Sequence, residues 1–370
     1  MPSASTLAFQ DPRIASTIVA YTTPPFDVAA LARTNKTLSV PATRLLYTTL
    51  AFDDVTSAYL ALQAVAHTPA IAQHVRSLQL YRDRHRPRVP LPSAFWHALQ
   101  LALTALPALE TLVLADMSGG PSQPAHTSVL PPQAPFRLRD ARILLPWGPH
   151  LAAFLAHQPS LRTLQIEAFG GPPSPASPAS AVAPSSIRDH LPPEQPILPN
   201  LTVFEGPLRV AHDLAASPLT HLQVCITSEP RGDPESLLPV LRGLRGTLRA
   251  LNIQDMPESR AADIIGMVGA ACPQLLHLGS LTLPPGNRMP CHAALRSFEK
   301  LRSLELDLAL WNPPPPFSLQ RALVAETHTY SPTLEVAVVW LSNMRVVWMV
   351  NPETGSWEGR HDGRGGWKAV

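Results

Sequence analysis

The pattern that most constrains this chain is Leu-x-x-Leu-x-Leu, which recurs as Leu161-x-x-Leu164-x-Ile166, Leu248-x-x-Leu251-x-Ile253 and Leu301-x-x-Leu304-x-Leu306. Alternation places the last two apolar side chains on one face of a short strand, and the turn into the strand carries the first into the same core. One such unit cannot bury its own apolar face, so the copies must stack on one another. Earlier copies are Val75-x-x-Leu78-x-Leu80 and Leu109-x-x-Leu112-x-Leu114, and later ones include Leu201-x-x-Phe204, Leu219-x-x-Leu222-x-Val224 and Leu275-x-x-Leu278. The central residues 222, 251, 278 and 304 lie 29, 27 and 26 positions apart. That is close to the repeat length of about 20 to 29 residues expected for a strand plus a helix.

Helical periodicity fills the intervals. It predicts helices over Thr56–His67, Phe95–Leu106, Leu151–Ala156, Pro234–Leu241, Ser259–Ala271 and His292–Phe298. The expected fold is α/β: an irregular leucine-rich-repeat solenoid of parallel strands and helices over residues 51–330. The regular repeat carries Asn or Cys shortly after its last strand leucine. Here Met117, Phe169, Met256 and Ala309 stand there, so apolar packing and uneven curvature are expected in place of an asparagine ladder.

Proline accounts for 43 of the 370 residues, against an average near 5%. It gathers in loops, and Pro/Ser/Gly-rich stretches near 118–135 and 170–196 read as disordered insertions. Ser174-Pro175 and Ser177-Pro178 in the second have the form that proline-directed kinases modify. Arg82, Arg84, His85, Arg86 and Arg88 form a basic run between prolines and read as a solvated loop, because no aromatic ladder adjoins them to stack bases.

From residue 331 the character changes. Leu334-x-Val336-x-Val338 and Arg345–Val350 are strand-like, and Asn351-Pro352-Glu353-Thr354-Gly355 turns the chain into Trp357. Residues 331–370 therefore read as a hairpin cap over the last repeat, filled by Trp340, Trp348 and Trp357, with a mobile tail from Gly359. The same tryptophans superficially echo a WW peptide-binding module that lacks its first strand and final proline.

Before the repeats stand three short helical segments within residues 1–50. Asp11-Pro12-Arg13-Ile14-x-x-x-Ile18-Val19, then Phe26 to Lys36, then Thr43-Arg44-Leu45-Leu46-Tyr47-Thr48-Thr49-Leu50 resemble a degenerate F-box. Together with the repeats, the chain is similar to the F-box and leucine-rich-repeat proteins of mushroom-forming fungi. It departs from the F-box pattern where Asp11 replaces leucine, Arg13 replaces an acidic residue and Leu38 lies about where tryptophan is common. The resemblance implies a substrate-recognition subunit of a cullin-type ubiquitin ligase, with Pro12, Ile14, Ile18, Val28 and Leu31 meeting the ligase adaptor subunit. The concave strand surface would then hold an unknown protein target through Thr163, Gln165, Glu167, Asn252, Gln254, Ser303, Glu305 and Asp307. The rival reading is a plain scaffold whose first helices only cap the solenoid.

Other chemistry finds little support. A formal charge of +2 supplies no field for nucleic acid or an anionic membrane. Cys225, Cys272 and Cys291 lack any paired spacing, and no His-x-x-x-His or Cys-x-x-Cys pair occurs, so neither a disulfide framework, a metal site nor a cofactor is expected. No nucleophile elbow or phosphate-cradling glycine loop is present, so a non-enzyme is expected. The start lacks the pattern of a secretory signal, and Leu334–Val350 is too short and too interrupted to span a bilayer. A cytoplasmic or nuclear protein, not a secreted one, is the expectation.

Overall fold

A computed structural model describes residues 11–22, 25–81, 91–115, 129–145, 147–166, 186–192, 195–225, 234–341 and 344–361. The chain forms two compact units, Met1–Leu161 and Arg162–Val370. The boundary falls inside the Leu161-x-x-Leu164 motif. The basic run at 82–88, the Ser-Pro pairs, Met117, Glu167 and Phe169 lie outside the described residues.

The first unit opens with helices α1 (Pro12–Tyr21), α2 (Pro25–Thr34) and α3 (Lys36–Thr48). Strand β1 (Thr49–Phe52) follows α3 without a linker, then α4 (Val55–His67), α5 (Pro69–Ala72), β2 (Ser77–Leu80), α6 (Ser93–Ala105), β3 (Thr111–Leu114), β4 (Asp140–Ile143) and α7 (Pro149–Ala156). Sequence reading carries the F-box-like module to Leu50 and starts the solenoid at residue 51. In the structure Thr49-Leu50-Ala51-Phe52 instead pairs in parallel with Ser77–Leu80, because its alternation matches that strand and buries Leu50 beside Leu78. β2, β3 and β4 continue the parallel ladder. Asp54 starts α4 by accepting a hydrogen bond from Ser57 N–H at 2.7 Å, which satisfies one of the orphan donors of a helix end.

Two stretches expected inside insertions are packed. Val129, Leu130 and Ala134 are buried, and the fully buried Gln158 accepts a hydrogen bond from Leu138 N–H at 2.8 Å. In the second, Ile187–His190 forms a 3-10 turn held by a capping box in which Ser186 and Asp189 satisfy each other's backbone N–H groups. The apolar residues in these polar stretches anchor them: Ile187 is wholly buried.

The second unit runs β5 (Thr163–Ile166), β6 (Val203–Pro207), α8 (Leu208–Asp213), β7 (His221–Cys225), α9 (Leu237–Leu244), β8 (Ala250–Gln254), α10 (Ala261–Ala271), β9 (His277–Thr282), α11 (Met289–Leu295), β10 (Ser303–Asp307), α12 (Phe317–Tyr330), β11 (Val336–Leu341), β12 (Met344–Val350) and β13 (Trp357–His361). Strands β5 to β11 pair in parallel in sequence order. Parallel strands in sequence order, joined by crossovers of the usual right hand, put the connecting helices of the described residues on one side of the sheet and leave the other side without them. The central motif residues form one register row, Leu164, Phe204, Leu222, Leu251, Leu278, Leu304 and Ala337, each at most 1% exposed.

β12 reverses against β11, and β13 against β12, so the repeat ladder ends in an antiparallel pair of turns. Trp348 is fully buried and Trp357 nearly so, while Trp340 is half-buried on the opposite face. Gly359, Arg360 and His361 belong to β13; the rest of the expected tail lies outside the described residues. Helix α12 is not legible in the sequence. Only Gln320, Leu323, Val324 and Thr327 turn inward, and its remaining surface is polar enough to mask the helical period.

Candidate functional site

Two surfaces merit attention, one in each unit. In the first, Asp11 caps α1 by accepting from Arg13 N–H at 2.8 Å, and Asn35 caps α3 by accepting from Thr37 N–H at 2.9 Å. The residue that departs from the F-box pattern thus has a local role of its own. Asn35 thereby begins α3 directly after α2 ends at Thr34. The three helices enclose a core of Ala15, Val19, Val28, Leu38 and Ala42, against which Leu31, Ala32 and Leu46 pack.

This packing sorts the expected adaptor contacts. Pro12 is exposed, Ile14 is 41% exposed and Ile18 half-buried, because the inward pair on α1 is Ala15 and Val19, one step round the helix. Val28 is 3% exposed and is a core residue, not a contact residue, and Leu31 is committed to the same core. Outward-facing instead are Tyr21, Phe26, Val40 and Leu45, which sequence reasoning missed. A groove of about 570 Å³ runs between α1 and α3, floored by Val19, Ala20, Val40 and Pro41, with Lys36 and Arg44 also lining it. Pro41 sits within α3 and cannot donate to the carbonyl one turn earlier, which loosens the helix at the groove.

The second surface is the helix-free face of β5–β11. Gln165, Glu205, Gln223 and Asn252 are successive register partners, and Gly279 is the next. Asn252 Nδ2 donates to Gln223 Oε1 at 3.2 Å. That leaves Asn252 Oδ1 to accept from His277 Nε2–H at 3.1 Å, so His277 Nδ1 is the acceptor for Ser303 Oγ–H at 3.1 Å. One chain of side-chain hydrogen bonds therefore crosses four strands. Gly279 makes room for it: a Cβ there would lie 1.6 Å from Asn252 Oδ1.

These contacts correct part of the expected contact surface. Asn252 is 3% exposed and Glu305 6%, so neither is an open recognition group. Strands about 4.8 Å apart let polar side chains on one face cover one another. Thr163, Gln165, Ser303 and Asp307 are half-buried and Gln254 is exposed. Asp307 also accepts from Ala309 N–H at 2.9 Å, so the strand's own aspartate bonds the turning backbone. His277 was invisible to sequence reasoning, since a histidine in a repeat reads as a surface residue. The available signal was the adjoining Gly279 two positions later on the same strand face.

Electrostatics follow burial. Burial first, and His221 second, push the His277 imidazolium pKa down to about 4. Burial raises the Glu305 carboxyl, opposed by the hydrogen bond from Trp340 Nε1 at 3.0 Å and by Arg345. Arg345 in turn lies over the Trp340 ring, 5.6 Å from its centroid. Ser303, His277 and Asn252 stand in the order of a nucleophile, base and orienting group. A base as weak as His277 is a poor proton acceptor for a serine hydroxyl at neutral pH, and the chain acts as a clasp between strands. Among the described residues no group of three His, Cys, Asp or Glu could hold a metal ion, and no helix is long and apolar enough to cross a membrane.

No protein-family model and no curated protein matches the chain. The functional reading therefore rests on these two surfaces and on the residues that carry the F-box resemblance.

Proposed function

We propose that this chain is a non-catalytic protein-interaction subunit, and specifically a substrate-recognition subunit of a cullin-type ubiquitin ligase. The carrying observation is the apolar exterior of the N-terminal helices: Ile14 is 41%, Val40 69%, Tyr21 83% and Phe26 87% exposed around a core that is already complete. A three-helix module that only had to fold would leave fewer large apolar groups in water, and Val40, together with Leu45, lines the open groove against α1. In this reading the adaptor subunit covers that exterior. The helix-free strand face holds the target through Gln254 and the accessible edges of Thr163, Gln165, Ser303 and Asp307.

The test is size-exclusion chromatography of the full chain mixed with a ligase adaptor subunit. Co-elution as a one-to-one complex that is lost in the Ile14→Asp, Ile18→Asp double variant supports the reading. Separate elution of two folded proteins sinks it.

A specific observation favours a second reading. α3 ends at Thr48 and β1 begins at Thr49, so the helices are joined to the sheet without a linker, as a cap would be. A capping role predicts that removal of residues 1–48 makes the remainder aggregate, whereas a docking module leaves it soluble.

A further inference from the structure

The proline excess noted in the sequence includes a run of four, Pro313-Pro314-Pro315-Pro316, between β10 and α12. Its conformation is set by covalent geometry. Each ring fixes φ near −65°, and each of the first three residues precedes a proline, which excludes helical ψ and leaves the extended range. Prolines so restricted favour the polyproline II conformation. Pro316, at the end of the run, has φ −63° and ψ 161°.

That helix repeats every three residues, so the run presents three ridges. Pro313 and Pro316 share one ridge and are both exposed; Pro314 occupies a second and is exposed; Pro315 alone is buried against the protein. Both ends are fastened. Trp311 Nε1 donates to Leu283 O at 2.8 Å on one side, and on the other Gln320 Nε2 donates to Pro315 O at 2.9 Å. The carbonyls of Pro313 and Pro314 accept no hydrogen bond among the described residues, and the exposed Leu310, Phe317 and Leu319 flank the run in sequence.

We propose that Pro313–Pro316 is a docking ligand for a polyproline II-reading protein module, of the kind whose aromatic-lined groove takes two proline ridges and donates to the carbonyls between them. Such a module needs an extended left-handed segment with two free ridges and open acceptors, and this loop supplies all three. Holding the segment between Trp311 and Gln320 removes the ordering cost that a disordered proline-rich peptide bears on binding. The assignment stands apart from the adaptor reading, since it concerns a different surface and a different partner chemistry.

The experiment immobilises one SH3, one WW and one EVH1 domain and measures binding of the full chain and of a Pro314→Ala, Pro316→Ala double variant. These changes take one proline from each exposed ridge, and Pro316 makes no side-chain cap bond that the change would remove. Binding of the parent chain to at least one domain, weakened about tenfold or more in a variant with unchanged melting, supports the proposal. A synthetic peptide spanning Trp311–Leu319 should compete for the same domain, which keeps the test valid even if the variant melts early. Absence of binding to all three domains overturns it, as does binding that neither the variant nor the peptide diminishes.

Discussion

His277 Nε2 lies 3.1 Å from Asn252 Oδ1, and the space in which they meet exists because Gly279 has no side chain. The pair joins β8 to β9 where both residues are at most 3% exposed. A buried hydrogen bond left half-made costs about 1–3 kcal/mol. Gly279→Ala should therefore destabilise the second unit by about that amount or more, since its Cβ would meet the acceptor itself. Denaturant unfolding of the variant reads the loss directly.

The same histidine gives the protein an acid limb. Its folded pKa, about 4, is below the ordinary 6.5, so the unfolded chain binds the proton more readily. The contribution is complete above about pH 6.5 and is lost as pH falls towards 4. At roughly 1.4 kcal/mol per pKa unit, the loss is on the order of 3 kcal/mol. Comparing urea midpoints at pH 7 and pH 4.5 in the parent and in His277→Gln should show a steeper decline in the parent.

The central leucine row sets the scale of the fold. Leu251→Ala removes a side chain that is wholly buried between register partners Leu222 and Leu278 and should cost about 2–5 kcal/mol. Gln254→Ala, three positions on and exposed, should change stability by less than about 0.5 kcal/mol. Thermal melts of the two variants separate these outcomes.

In the N-terminal helices, Val28→Asp places a charge in a closed core and should unfold that module, whereas Ile14→Asp should leave it intact. Helical circular dichroism and limited proteolysis within residues 12–48 distinguish the two. Equal loss in both variants would mean that Ile14 is structural.

Two of the three thiols, Cys225 and Cys272, should be inert while the chain is folded. Burial, with the Asp255 carboxylate 2.9 Å from Sγ, pushes Cys225 up to about 12, and burial takes Cys272 to about 11. Iodoacetamide at pH 8 should label neither until denaturant is added, as mass spectrometry of the peptides would show.

The strand leucines and the helical intervals were legible because period 2 and period 3.6 leave different marks on a short window, and each motif residue named for the core is buried in its row. β1 was missed because four residues ahead of the first full motif carry too little pattern to outweigh the helix before them. α12 was missed because its inward face is partly polar. The buried clasp of Gln223, Asn252, His277 and Ser303 was out of reach for another reason: its members lie 25 to 29 positions apart along neighbouring strands. The sequence by itself determined that repeating strands must stack and which leucines would fill the stack, since that follows from local periodicity and the need to bury apolar surface. Only the tertiary structure decided which outward polar residues stay in water and which close on one another, because that depends on register across strands, and register is a relation between segments that no single segment encodes.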